Sequence, residues 1–536
     1  MDRWSASTEW HHGAWFFTPE EVKHLDTFRL LTVYRGFSKL LSDSDECNSD
    51  ARDMRRLTRS LWTTDKKGLV ILLIFVCAMV VRLSYVTETR TSVLTERHFH
   101  LDPLTHDLLA MKIATESFWG EEPFFRAPLY PYFLGVLYVM FGHRYLIPRL
   151  VQVLIGSLSC VLAFLIGRRI FGASTALLGA LLACFYWILI YYDGEFLIPV
   201  LSVFLNLAFL WVLLRKEKFG WRSIFTAGVL VGVSALARPN ILVFVPCIIM
   251  WIAVHKSVHR WKRTAVLGLA LVAGVSVAVG PVTVRNYLVG HDVVLISSQG
   301  GVNFFIGNNS KSDGKTPVQP AYISPYEDSQ FMVKHKEDVW VKDNVWRVSK
   351  IVAEKALGRE LRPSEISDFW YGQAFQFIRR RPCSFLGLVL KKIYFLWNAY
   401  EIPSNDDIYR FAHQHSRILT FLSHLHFGVL GPLSLLGMGL GLREWRRYLL
   451  LYLYVVSYGF SIVLFFVTAR YRVPLLPILF LFSSHAIVWV AEAVRNRRYR
   501  KLTVATLVLL VLFLVMNSNL FTVREQIIRL HHELGW

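Results

Sequence analysis

The chain has 536 residues, 54% of them hydrophobic and 14% aromatic, with a mean hydropathy of +0.39. That bulk excludes an ordinary soluble globule, because the apolar residues come in repeated runs of about 17–25, the length of a helix that crosses a bilayer. The net charge of +20 points towards nucleic acid only until the cations are placed: most sit in short segments between apolar runs, as in membrane proteins, and some are free to meet a lipid phosphate.

Residues 1–67 are polar, with an acidic patch (Asp43, Asp45, Glu46, Asp50) ahead of Arg52, Arg55, Arg56, Arg59, Lys66 and Lys67. They read as a cytosolic, partly disordered extension. No cleavable signal is expected, since the first apolar run starts only near Leu69 and is long enough to span. The first span covers 69–87, and an outer loop over 88–145 follows it. Between His98 and Gly142 this loop carries Asp102, His106, Asp107, Glu116, Glu121, Glu122 and Arg126 among prolines and aromatics. A mere linker needs no such set, so the loop is the first candidate for an active site. Within it, Ala127–Gly142 is apolar but short, and reads as a helix lying along the interface.

Further spans are expected over 146–167, 173–191, 195–214, 223–237, 239–256 and 264–284. A polar segment covers 286–382, residues 383–400 look amphipathic and interfacial, and the last spans cover 416–441, 447–468, 474–494 and 503–519. The expected fold is therefore an all-α polytopic membrane protein of about eleven transmembrane helices, with interfacial helices in the first outer loop and a mixed extracytoplasmic segment. Its divisions are the extension 1–67, an N-terminal transmembrane core 68–285, the outer segment 286–382, a C-terminal transmembrane region 383–519 and an outer tail 520–536. If the first span leaves the cytosol, every inside connection is basic: Arg168-Arg169, Arg215 to Lys218, His255 to Arg263, Arg443 to Arg447, and Arg495 to Lys501. The same choice gathers the interesting polar clusters on the extracytoplasmic face.

The six cysteines show no CxxC pair and no metal-ligand spacing, and read as small buried hydrophobes. Asp102, just before Pro103, suits the N-cap of a helix, and a capping acid at an interface can also face a site. His106 and Asp107 stand one turn on. Glu195 in Tyr-Tyr-Asp-Gly-Glu opens an apolar span; the helix dipole favours an acid there, and so does a role as second carboxylate. Arg238, Arg285, Arg470 and Arg472 all fall at the outer face against the charge bias. Each is open to a snorkelling reading, but together they favour an anionic ligand, since arginine's planar fork fits phosphate oxygens. Ser297–Asn309, with Gly300, Gly301, Asn303 and Asn308 among aromatics, suits sugar recognition or a turn-rich loop. No P-loop or dinucleotide fingerprint is present.

These segments resemble the C-type integral-membrane glycosyltransferases, the superfamily of protein mannosyltransferases and lipid A aminoarabinose transferases, and most of all its bacterial members. The likeness rests on Leu-Asp-Pro-Leu-Thr-His-Asp, Phe-Phe-Arg-Ala-Pro-Leu-Tyr-Pro-Tyr, Tyr-Asp-Gly-Glu, Ala-Arg-Pro-Asn, Arg-Asn-Tyr, Gly-Gly-Val-Asn-Phe-Phe-Ile-Gly-Asn-Asn and Arg-Tyr-Arg-Val-Pro-Leu-Leu-Pro, over about 68–494. It implies transfer of a sugar from a polyprenyl-phosphate carrier to a protein, lipid or glycan acceptor, with inversion, at the outer face of the bacterial plasma membrane. It also implies Asp102 as general base, Glu195 as second acid, and Arg126, Arg238, Arg470 and Arg472 as holders of the carrier's phosphate. His106, Asp107, Tyr130, Arg285, Asn303 and Asn308 then fall to substrate binding. Many relatives carry two adjacent acids in the first loop, whereas Asp102 is followed by Pro103, so no cofactor is called for and a divalent cation stays an open question. The rivals are a flippase, which should place its charges near the bilayer midplane, and a polymerase or ligase of lipid-linked saccharides.

Overall fold

The computed structural model describes residues 64–90, 101–216, 220–254, 261–315 and 344–519. The expected extension up to residue 63, part of the outer segment (316–343) and the tail from 520 lie outside the described residues. The chain divides into two compact units, 1–70 and 71–536. Of the first, only the opening turns of one helix are described; the second holds every other described element.

The described residues form helices and no strand. In chain order they are α1 (Thr64–Thr89), α2 (Leu101–Thr115), α3 (Leu129–Phe141), α4 (Leu146–Ile170), α5 (Ala173–Phe185), α6 (Trp187–Gly194), α7 (Pro199–Leu214), α8 (Trp221–Ala237) and, after a 3-10 turn at Pro239–Val243, α9 (Phe244–Val254). Then come α10 (Trp261–Gly290), α11 (Gly300–Gly307), α12 (Asn344–Leu357), α13 (Pro363–Arg380), α14 (Pro382–Trp397), α15 (Ile408–His415), α16 (Arg417–Leu422), α17 (Phe427–Gly441), α18 (Trp445–Val463), α19 (Ala469–Arg472), α20 (Leu476–Arg495) and α21 (Tyr499–Asn517). Among the described residues the fold is all-α, with several helices long and apolar enough to cross a membrane.

By length and apolarity alone, five of the described helices are fit to cross a membrane, or six if α5 and α6, bent by 50°, make one broken span. The expected spans at 195–214, 223–237 and 239–256 appear as shorter apolar helices. Prolines set those limits: Pro199 opens α7 and Pro239 opens the 3-10 turn, as expected of a residue without a backbone donor. α3, the expected interfacial helix, has 13 residues and rises only about 20 Å, too short for the hydrocarbon core.

The segment Ser297–Asn309 is not a turn-rich loop. It is mostly α11, docked on α13 so closely that a Cβ at Gly301 would lie 1.9 Å from the Ser367 carbonyl oxygen. Val302, Phe305 and Ile306 pack with Trp370 and Val348 in one apolar cluster. Gly301 thus serves backbone approach.

Candidate active site

The site begins at the first turn of α2. Leu101 enters it with a φ of 50°, the left-handed region that a branched side chain seldom adopts. Asp102 follows, and each of its carboxylate oxygens accepts from a different arginine: Oδ1 from Arg126 Nη1, Oδ2 from Arg470 Nη1. Those cations come from 24 residues downstream and from α19, 368 residues away. The Asp102 side chain is 14% exposed. Burial raises its affinity for a proton, but the charges of Arg470 and Arg126 overcome this and hold the carboxyl well below the usual carboxylate range.

Arg470 is braced from behind. Its Nη2 donates to Tyr471 Oη at 3.2 Å, and Arg238 Nη1 donates to its backbone oxygen at 3.4 Å. The Arg238 guanidinium lies 4.5 Å from the Tyr471 ring and that of Arg470 lies 5.0 Å from it. His106, one turn after Asp102, is buried and meets Tyr130 edge-on at 5.0 Å. Burial disfavours its imidazolium, and despite the pull of Asp102 its pKa is brought down to about 3, with Arg126 and Arg470 adding to the lowering. It is a neutral imidazole at physiological pH.

Tyr130 connects this cluster to the second acid. Its Oη donates to Gln152 Oε1 at 2.5 Å, and Gln152 Nε2 donates to the backbone oxygens of Asp193 and Glu195, both at 2.9 Å. Arg149, one turn before Gln152 on α4, donates from Nε to the Gly194 oxygen at 3.0 Å. Glu195 sits in the break between α6 and α7 that these bonds hold open. Burial, then the charge of Asp406, pushes its carboxyl up to about 8, against Arg149.

The structure therefore brings Asp102, His106, Arg126, Arg238 and Arg470 together and ties them through Tyr130 to Glu195. Other sequence candidates are engaged elsewhere. Arg472 is buried, pairs with Glu401 at 2.7 Å and donates to the Leu396 and Asn398 carbonyls. Its charge is answered inside the fold, where a phosphate was expected. Arg285 donates to the carbonyls of Trp119 and Glu122 and covers Phe124 at 3.9 Å, so it pins the first outer loop to α10. Asp107 accepts from Tyr138 Oη at 2.6 Å and pairs with His143 Nε2 at 2.9 Å. Asn308 donates to the Leu464 carbonyl and accepts from Lys392, while Asn303 lies half-buried on α11. Among the described residues, no three His, Cys, Asp or Glu side chains converge as metal ligands. Both Asp102 oxygens are engaged by arginines.

Sequence reading missed Gln152, Arg149 and Glu401, and also Arg82 in the middle of the first span. Arg82 is fully buried and its Nε meets Asp193 Oδ2 at 2.5 Å. A signal did exist for it, because a lone arginine inside so apolar a run must find a partner.

Comparison with known proteins gives three findings. Residues 125–284 match the family of dolichyl-phosphate-mannose-protein mannosyltransferases. No curated protein sequence is significantly similar. Among solved structures, the chain resembles the oligosaccharyltransferase AglB from Archaeoglobus fulgidus, in complex with an inhibitory peptide and a dolichol-phosphate, at 15% identity and a TM-score of 0.45 over 85% of this chain and 55% of that one. It resembles ArnT from Cupriavidus metallidurans at 16% identity and a TM-score of 0.36 in the apo state, and at 14% and 0.33 bound to undecaprenyl phosphate, over 80% of this chain and 79% of that one. It spans just over half the length of the oligosaccharyltransferase. The family match, over residues 125–284, takes in Arg126, Tyr130, Gln152, Glu195 and Arg238 of the site.

Proposed function

We propose that this protein transfers a sugar from a polyprenyl-phosphate carrier to an acceptor at the extracytoplasmic face of the bacterial plasma membrane, inverting the anomeric centre. The observation that carries this reading is the pairing of one acid, Asp102, with two arginines from distant segments, Arg126 and Arg470, beside a helix too short to span the bilayer. Inverting transfer needs both parts. A base takes the acceptor's proton as it attacks the anomeric carbon, and Asp102 is the base. Preorganised cations stabilise the negative charge that gathers on the departing phosphate, and Arg126, Arg470 and Arg238 supply them. Domain boundaries follow the chemistry: the first outer loop and α19 meet at the site, with 68–285 as its larger part.

The flippase reading gains nothing from Arg82 and Asp193. Arg82 lies within the first span, but its Nε is paired with Asp193 at 2.5 Å and both side chains are buried, so each charge is already answered inside the fold. The test is transfer of labelled sugar from short-chain polyprenyl-phosphate donors to an envelope extract by the full-length protein in detergent. The wild type is expected to transfer, and Asp102→Asn, still folded, to lose a factor of about 10² to 10⁴. Full rate in the variant would reduce Asp102 to a structural partner of its two arginines.

A further inference from the structure

Resting on the transferase reading, in which Arg126 and Arg470 seat the carrier's phosphate, we propose that the Asp102 carboxylate occupies this seat in direct competition with it. The first support is the pairing itself. A carboxylate and a phosphodiester each offer two charged oxygens, and an arginine fork does not distinguish them by charge. In this structure the two oxygens are those of Asp102.

The second support is a surplus of donors. Arg126 Nε and Arg470 Nε are buried with no hydrogen-bond partner among the described residues. Leaving such atoms unmatched is costly. The Asp102 carboxylate does not fill them, since its two oxygens lie on the Nη1 atoms. The phosphate that leaves after transfer has three terminal oxygens and a charge of about −1.5 to −2, and it can fill them.

The third support is rigidity. Arg470 is carried between Val467, whose amide donates to the Gly314 oxygen at 2.9 Å, and Arg472, locked to Glu401. Arg238 and Tyr471 brace it from the other side. It cannot follow the aspartate away, so one anion must yield to the other.

The chemistry then runs in one order. The carrier's phosphate takes the guanidiniums and releases an Asp102 oxygen. The acceptor's O–H gives its proton to that oxygen while its own oxygen bonds to the anomeric carbon. The bond from that carbon to the phosphate oxygen breaks, its electron pair stays on the phosphate, and the new charge falls on the spare donors. The base is exposed only once the donor is seated.

The test is the affinity of the full-length protein in detergent for farnesyl phosphate, by calorimetry, in folded, monodisperse preparations of wild type, Asp102→Asn, Asp102→Ser and Asp107→Asn. Removing a competitor should tighten binding by about tenfold in both Asp102 variants. Asp107→Asn removes the same charge one turn on, from Tyr138 and His143, and should leave the affinity nearly unchanged. Equal or weaker binding in the Asp102 variants overturns the inference, as does equal tightening in Asp107→Asn. If the wild type transfers sugar and these results go against competition, the transferase reading stands without it. If the wild type neither transfers sugar nor binds the phosphate, both fall.

Discussion

At the scale of single residues, the two acids of the site are pushed in opposite directions. Two arginines keep Asp102 a carboxylate, whereas burial and the Asp406 charge push Glu195 up to about 8. At neutral pH the first is ionised and the second mostly protonated. A hydrophobic carbodiimide attacks protonated carboxyls, so it should label Glu195 at pH 6 and lose it by about pH 10, with Asp102 unlabelled throughout. Peptide mass mapping reads the result, and labelling of Asp102 at pH 6 would contradict it. The sign for stability follows from the raised pKa. Folding favours the protonated acid, so this contribution is complete below the ordinary glutamate value of 4.5 and is lost as pH rises through about 8. Glu195→Gln should flatten that decline in thermal stability. Residue identity alone could not separate ligand-binding arginines from structural ones. Arg238, Arg285, Arg470 and Arg472 all break the charge bias, yet Arg472 finds Glu401 and Arg285 finds the Trp119 and Glu122 carbonyls. Those partners are far away in sequence, and no spacing announces them.

At the scale of elements, the second acid depends on one face of α4. Arg149, Gln152 and Gly156 recur at three and four residues and so point the same way. The first two hold the backbone of Asp193–Glu195, and the third makes room for the Asp193 side chain. A Cβ at Gly156 would lie 2.1 Å from Asp193 Oδ2. The Asp193 carboxylate cannot swing aside, since Arg82 holds it at 2.5 Å while also donating to the Cys184 and Ala183 carbonyls. Gly156→Ala should therefore cost about 1–3 kcal/mol by overpacking. Arg82→Met strands a buried carboxylate and should cost about 3–5 kcal/mol, whereas Arg82→Met with Asp193→Asn should recover most of it. Thermal unfolding in detergent measures all three. No recovery in the double variant would mean that the arginine matters for its packing and not for its charge. The sequence showed the acid, the span around it and the proline that opens α7, but not the 50° bend at Tyr186.

At the scale of the whole molecule, apolar runs were enough to read the class, because a bilayer imposes length and backbone satisfaction together. They were weaker on the number of crossings, since prolines and glycines cut several runs into helices shorter than a span. Orientation rests on a different signal, the basic connections on one side, and it makes a prediction that two native cysteines can check. Cys383 is exposed at the start of α14, next to α13 and on the same side of the expected topology as Asp102. Cys47 belongs to the extension expected in the cytosol. A membrane-impermeant maleimide added to intact spheroplasts should label Cys383, and should reach Cys47 only after permeabilisation. Cys77, Cys160 and Cys184, in spans, and Cys247, in a short apolar helix, should react with neither treatment unless detergent is added. The reverse order, Cys47 before Cys383, would place Asp102 and its arginines on the cytosolic side. The carrier's sugar would then have to be met before it crosses the membrane, and the transferase reading would need a cytosolic acceptor.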